Sequence, residues 1–262
     1  MATAVPSAVA SLTGGAFGAL TALRGKRIFH PFGAGYEGTL RIAERPRHAT
    51  GARLFDDVAE HRVIVRASRA LGLPESLPDA LGLAVRLPDI HGKGRHQDFL
   101  LVTSADGLLL HHLLLFAPGG FFAQSYSSIL PYRVGRAIRL VGAAPRRPAT
   151  PAPGTDLEAL EEAVNDHQAR FDLALASLGG RWERRGVISL LDRLPEPDTE
   201  ELTFNPWNTG GGIRPTGPLM GLRDPAYRGS QRARGVDPAP PAMDPGEEAL
   251  TPATTSTASP SS

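Results

Sequence analysis

Cysteine is absent from the chain, which removes disulfides, thiolate nucleophiles, cysteine zinc sites and thiolate-ligated haem together. Charge of one sign is also lacking. Lys and Arg number 28 against 27 Asp and Glu, so no global positive field recruits nucleic acid or an acidic membrane surface. A long apolar run is missing as well: the opening MATAVPSAVASLTGGAFGALTAL is Ala/Gly-rich, has no basic leader, and is too short and glycine-broken to span a bilayer. The expectation is a cytoplasmic protein with no membrane span. No internal repeat is visible.

What is present is enough apolar material for one core. A chain of 262 residues with 41% hydrophobic content fits one domain, expected over residues 1–235. Residues 236–262 hold many prolines and almost no large apolar side chains, so they read as a disordered Pro/Ser/Thr-rich tail. Within the domain, KRIFH, EGTLRIA, RVIVRAS, LGLAVRL, DFLLVTS, RAIRLVGA and GVISLLDRL are β-branched or alternating runs punctuated by Gly, Pro and Asp. Such runs predict an antiparallel sheet or barrel. PRRPATPAPG (145–154) reads as a proline-rich connector. After it, Thr155 and Glu158 form a capping box, and Leu157, Leu160, Val164, Phe171, Leu175 and Leu178 keep helical spacing until Gly179-Gly180. The fold class expected is α+β, an antiparallel β-barrel core with flanking helices.

Three groups of residues bear on chemistry. In RIFHPFGAGYEGTLRI, His30 precedes Gly33, Gly35 and Gly38, and glycines so spaced let the backbone bend or approach a planar ligand closely. In VIVRAS, Arg66 and Ser68 share a strand face because side chains alternate with period two; such a serine can fix the tautomer of a histidine, and a polar solvent face is the plainer alternative. In GLRDPAYRGSQRARG, Tyr227 lies among arginines that include Arg223 and Arg234. A guanidinium within a few ångström favours the ionised phenol, and a phenolate is an iron ligand. On a helix, begun by Pro225 with Asp224 as cap, Tyr227 and Arg234 share a face. A different chemistry is open to Asp89, His91, His96 and Asp98, with His111 and His112 following. Imidazoles and carboxylates suit a metal-dependent hydrolase, although no His-Glu-x-x-His signature is present. NTGGGI lacks the Gly-Lys-Ser/Thr ending of a phosphate loop and reads as a turn.

Taken together, in order and spacing, the three groups resemble the haem catalase superfamily. The distal pattern His-x-x-Gly-x-Gly-x-x-Gly is matched by His30, Gly33, Gly35 and Gly38, and the pattern Val-Arg-Phe-Ser by Val65, Arg66, Ala67 and Ser68. Phe-x-Pro and Gly-Ile-x-Pro are matched by Phe204, Pro206, Gly212, Ile213 and Pro215, and the proximal block by Arg223, Ala226, Tyr227 and Arg234. One residue is missing between Pro215 and Arg223. The similarity is scattered over roughly 25–235 and, lacking the long arm and C-terminal helices, is closest in type to small catalase-related peroxidases.

The resemblance implies haem b as cofactor, with Tyr227 as the proximal iron ligand held as phenolate by Arg223. It implies His30 as the general base on peroxide, Ser68 as the residue orienting that imidazole, and Arg27, Arg66 and Arg234 as partners of the haem propionates. Hydrogen peroxide or an organic hydroperoxide would be the substrate, in a response to oxidative stress. The family's distal asparagine has no counterpart, its place falling on Arg95 or, with a one-residue slip, His96. One-peroxide oxidation or hydroperoxide rearrangement, as in allene oxide synthase-like members, therefore stays open beside disproportionation. A non-catalytic haem carrier or a cofactor-free protein of the same fold is the alternative.

Overall fold

The structure is a computed structural model and describes residues 33–69, 80–105, 120–128, 130–148 and 156–216. Ten strands are present among the described residues: β1 (Gly33–Ile42), β2 (Ala59–Arg69), β3 (Leu81–Leu87), β4 (Gln97–Thr103), β5 (Tyr126–Ser127), β6 (Tyr132–Val134), β7 (Ala137–Arg146), β8 (Arg170–Ala176), β9 (Glu183–Arg193) and β10 (Ile213–Pro215). Every pairing is antiparallel. The order β7-β5-β4-β3-β2-β1-β9-β8 is joined end to end by pairing of β7 with β8, which closes eight strands into a barrel; β6 and β10 extend β7 outside the ring. Closure gives each strand of the ring a neighbour on both sides over at least part of its length.

Alternation in the sequence decides which residues face in. Along β3, Leu81, Leu83, Val85 and Leu87 are buried while Gly82, Ala84 and Arg86 point the other way. Along β2, Val63, Val65 and Ala67 are buried and Ile64, Arg66 and Ser68 face out. The register carries this across the sheet: Tyr36 pairs with Val65, Val65 with Val85, and Val85 with Phe99, all of them core residues. The interior is filled by side chains. Phe55, Phe99 and Tyr132 form one aromatic group, with ring centroids 6.3 and 5.8 Å apart, and Phe122, Phe171 and Tyr126 another, at 5.7 and 6.1 Å. Barrels of eight strands have an interior just wide enough for side chains to fill it.

The barrel expected from the sequence is thus present, and each expected strand inside the described residues lies in or across a strand of the structure. The helices are fewer and shorter than expected. α1 (Arg53–Asp56), α2 (Asp156–Asn165) and α3 (Glu196–Glu201) are all that the described residues contain, so this part of the chain is mostly β. The helix read as continuing to Leu178 stops at Asn165. His167 takes φ 56°, a left-handed turn that no continuing helix accommodates, and Phe171 and Leu175 lie in β8, paired with Ile188 and Val141. The proline-rich connector also begins later than expected, since Pro145 and Arg146 still pair within β7. The domain boundary at residue 235 and the tail at 236–262 lie outside the described residues. Among the described residues no helix is long and apolar enough to cross a membrane.

Gly38 sits where the β1–β9 register shifts, and a Cβ there would run into the carbonyl oxygen of Ser189. Because that neighbour is backbone, it cannot swing aside as a side-chain tip can. Gly38→Val is expected to lower unfolding stability by ~2 kcal/mol or more, read from urea denaturation; a midpoint equal to that of the unsubstituted protein would show that this strand pair yields more easily than its packing indicates.

Candidate functional site

With the barrel interior packed, the side chains that remain for binding point outward from its wall. On the outer face of β1–β4 the register lines up two rows. Gly33, Ser68, Gly82 and Val102 are cross-strand neighbours in the first; Gly35, Arg66, Ala84 and Leu100 are in the second. Strands lie about 4.8 Å apart, so four of them give a floor roughly 14 Å wide, on which Gly33, Gly35, Gly82 and Ala84 alternate with larger residues. Continuing the first row, Val102 leads to Ser127 and Gly142. Gly142 is covered by the indole of Trp182, whose ring would sit 2.5 Å from an added Cβ.

Arg66 is the one charged residue of these two rows. A Cβ on Gly33 would lie 2.9 Å from its Nη2, so the guanidinium lies across β1 where the missing side chain makes room. Burial pushes the Arg66 pKa below its ordinary value, the sign of a cation partly removed from water. Ser68 sits one row on, and its Oγ would lie 3.3 Å from a Cβ on Gly82. The sequence-based expectation that Arg66 and Ser68 share a face therefore holds.

The glycines following His30, Gly33, Gly35 and Gly38, are strand residues of β1. Gly33 accommodates Arg66, Gly35 lets Thr199 of α3 approach to 2.6 Å of an added Cβ, and Gly38 permits the bulge. Arg27, His30, Arg223, Tyr227 and Arg234 lie outside the described residues. Of the seven site residues expected, Arg66 and Ser68 alone can be located.

The Phe-x-Pro and Gly-Ile-x-Pro segment borders the floor. It begins after α3, which rests on Gly35, and crosses the outer wall one row below Arg66, where Arg86 pairs with Asp98 across β3 and β4. Asp98 binds the segment through the Asn205 amide at 2.8 Å and Asn208 Nδ2 at 2.9 Å. Arg86 donates to the Thr203 carbonyl at 2.6 Å and lies 5.0 Å from the centroid of the Phe204 ring. Gly212, at φ 90°, fits against the Gly51 carbonyl where a Cβ would collide, and β10 then pairs with β6. Sequence reasoning gave Asp98 no structural part, because its partners Asn205 and Asn208 lie more than a hundred positions away.

The rival metal cluster is not assembled among the described residues. Asp89 Oδ1 is 3.4 Å from His96 Nδ1, His91 Nε2 is 3.2 Å from Gln97 Oε1, and Asp98 is engaged by Arg86 and the Asn205–Asn208 segment. Among the described residues no three His, Asp or Glu side chains converge as a metal site; His111 and His112 lie outside them. Arg95 and His96, the positions matched to the family's asparagine, lie in the β3–β4 turn, at the opposite end of that hairpin from Gly82. Comparison with protein-family models and with curated proteins finds no match to this chain.

His91 packs its ring on Gly210 and Gly211 and is half-buried. Burial pushes its pKa down, helped by Arg95 and Arg53 and opposed by the Gln97 hydrogen bond; His61 is lowered by burial too. A histidine whose folded pKa is depressed contributes stability that is full above its unfolded value, about 6.5, and is lost as pH falls through that value toward the folded one. The melting temperature is therefore expected to drop between pH 7.5 and 5.5, and to drop less in His91→Gln. An equal drop in both proteins would remove His91 from the account.

Proposed function

We propose that the chain is a haem-dependent, peroxide-processing protein of the small catalase-like kind, with the outer face of β1–β4 as the seat for the cofactor. The observation that carries this reading is that Arg66 and Ser68 share one face of β2, flanked across the strands by the small residues Gly33, Gly35, Gly82 and Ala84. A planar, largely apolar ligand with carboxylates needs a flat surface and a cation at its edge, and the rows through Gly82 and Ala84 with Arg66 beside them have that character. Gly82 leaves open the space that a side chain would take, the Arg66 guanidinium lies over Gly33, and a partly desolvated guanidinium suits bidentate carboxylate binding.

On this reading Arg66, with Arg27 and Arg234, holds the propionates, and Tyr227 with Arg223 supplies the anionic oxygen that favours ferric iron. Bound haem would supply the redox chemistry. The protein's own part is to place groups and move a proton. Ser68 Oγ holds the His30 imidazole in one tautomer, and His30 takes a proton from the bound peroxide and returns it to the departing oxygen. No asparagine takes the family's distal place, which leaves one-peroxide oxidation, or rearrangement of an organic hydroperoxide, open beside disproportionation.

The test is titration of the purified chain with hemin. One equivalent should bind with a high-spin ferric, tyrosinate-type spectrum that is lost in Tyr227→Phe. Gly82→Leu, which raises a side chain in the middle of the floor, should weaken binding at least tenfold. His30→Ala should bind hemin normally but lose peroxide turnover by ~100-fold or more. Protein that stays colourless, or His30→Ala with undiminished turnover, would contradict the reading.

A further inference from the structure

We infer that Asp98 is a positioning residue: it fixes the 203–216 segment along the edge of the β1–β4 floor and so sets the geometry of the site built there. The inference rests on the haem reading above for what that site holds. Asp98 belongs to the outward Arg86–Asp98 pair, in the row next to Arg66, Ala84 and Leu100, yet its side chain is 0% exposed. Both carboxylate oxygens are occupied. Oδ1 accepts from Arg86 Nε at 2.8 Å; Oδ2 accepts from Arg86 Nη2 at 2.7 Å, from the Asn205 amide at 2.8 Å and from Asn208 Nδ2 at 2.9 Å. The Asp98 amide donates to the Asn208 carbonyl at 2.9 Å. Next to it, Gln97 Oε1 accepts from Thr209 Oγ1 at 3.2 Å.

Magnitudes separate positioning from plain stabilisation. A bidentate Arg–carboxylate pair already meets the charge of both partners. A buried pair roughly breaks even against apolar residues of the same volume, so net stability alone gives little reason for a carboxylate here. The two donors beyond Arg86 both come from the distant segment, and Arg86 itself reaches the Thr203 carbonyl on that segment. One carboxylate thus specifies where the segment crosses the wall, at a distance of 107 and 110 positions in the chain. In sequence, Tyr227 follows 11 positions after Thr216 (227 − 216), the last residue described.

The experiment uses the full chain and three proteins: the unsubstituted form, Asn208→Ala/Thr209→Val, and Arg86→Met/Asp98→Leu. The first variant keeps the Arg86–Asp98 pair and loses side-chain donors of the segment; the second replaces the pair by apolar volume. Both should melt within a few degrees of the unsubstituted protein without hemin. Both should bind hemin at least tenfold more weakly, with a shifted Soret band, and exchange the Asn205–Asn208 amides faster. Hemin affinity and spectrum unchanged in a variant that melts normally would reduce Asp98 to a structural residue and overturn the inference. If the unsubstituted chain takes up no hemin, the haem reading fails by itself; amide exchange then decides, and unchanged exchange in both variants overturns the positioning role too.

Discussion

Pairing of β7 with β8 is the constraint on which the rest depends. It closes the sheet, and once closed a ring of eight strands must use every inward position for packing. Tyr36, Leu40, Val65, Leu83, Phe99, Tyr126 and Phe171 meet that demand, each almost wholly removed from water. Their outward neighbours are then released from packing. Because side chains alternate strictly, the strand that sends Leu81, Leu83 and Val85 inward must send Gly82 and Ala84 outward, and the smallness of those two has no explanation inside the barrel.

Beside Leu100, Val102 and Asp98, two kinds of residue shape that outer wall. Gly33, Ser68, Gly82 and Ala84 make it flat, and Arg66 and Arg86 give it charge at chosen points. The two arginines are used differently. Arg86 is fastened by Asp98 and works for the architecture, tying Thr203 and Phe204 to the barrel. Arg66 lies one row away, over the space left by Gly33 and partly removed from water. Its place beside Gly82 and Ala84 is the physical basis for proposing a planar carboxylate ligand there.

Much of the barrel was legible because its strands announce themselves locally. LGLAVRL is β3 from end to end, and its alternation already gives the face of each residue. Strands β5, β6 and β10, of two or three residues, carry too little pattern to read; β5 and β6 form where β7 offers free backbone groups, and β10 then adds to β6. Phe171 and Leu175 misled because four-residue spacing suits a helix and also repeats on one strand face; pairing with β7 and β9 decided the matter. The shared face of Arg66 and Ser68 follows from period two and was readable. Asp98 was not, since its role comes from contacts with Asn205 and Asn208 that only the closed fold creates. The small outward residues Gly82 and Ala84 were visible in the sequence, and reading the small half of the alternation as closely as the large half would have found the floor.

The central claim is that ligand binding belongs to the outer wall of β1–β4. Amide resonances of the isotope-labelled protein, followed as ferric hemin is added, test it most directly, because a paramagnetic iron broadens the signals nearest to it. The account predicts selective loss of signal at Gly33, Ser68, Gly82 and Ala84, with the β8–β9 wall, Leu173 and Ile188 among it, left sharp. Broadening centred on β8 and β9, or spread evenly around the barrel, would contradict it.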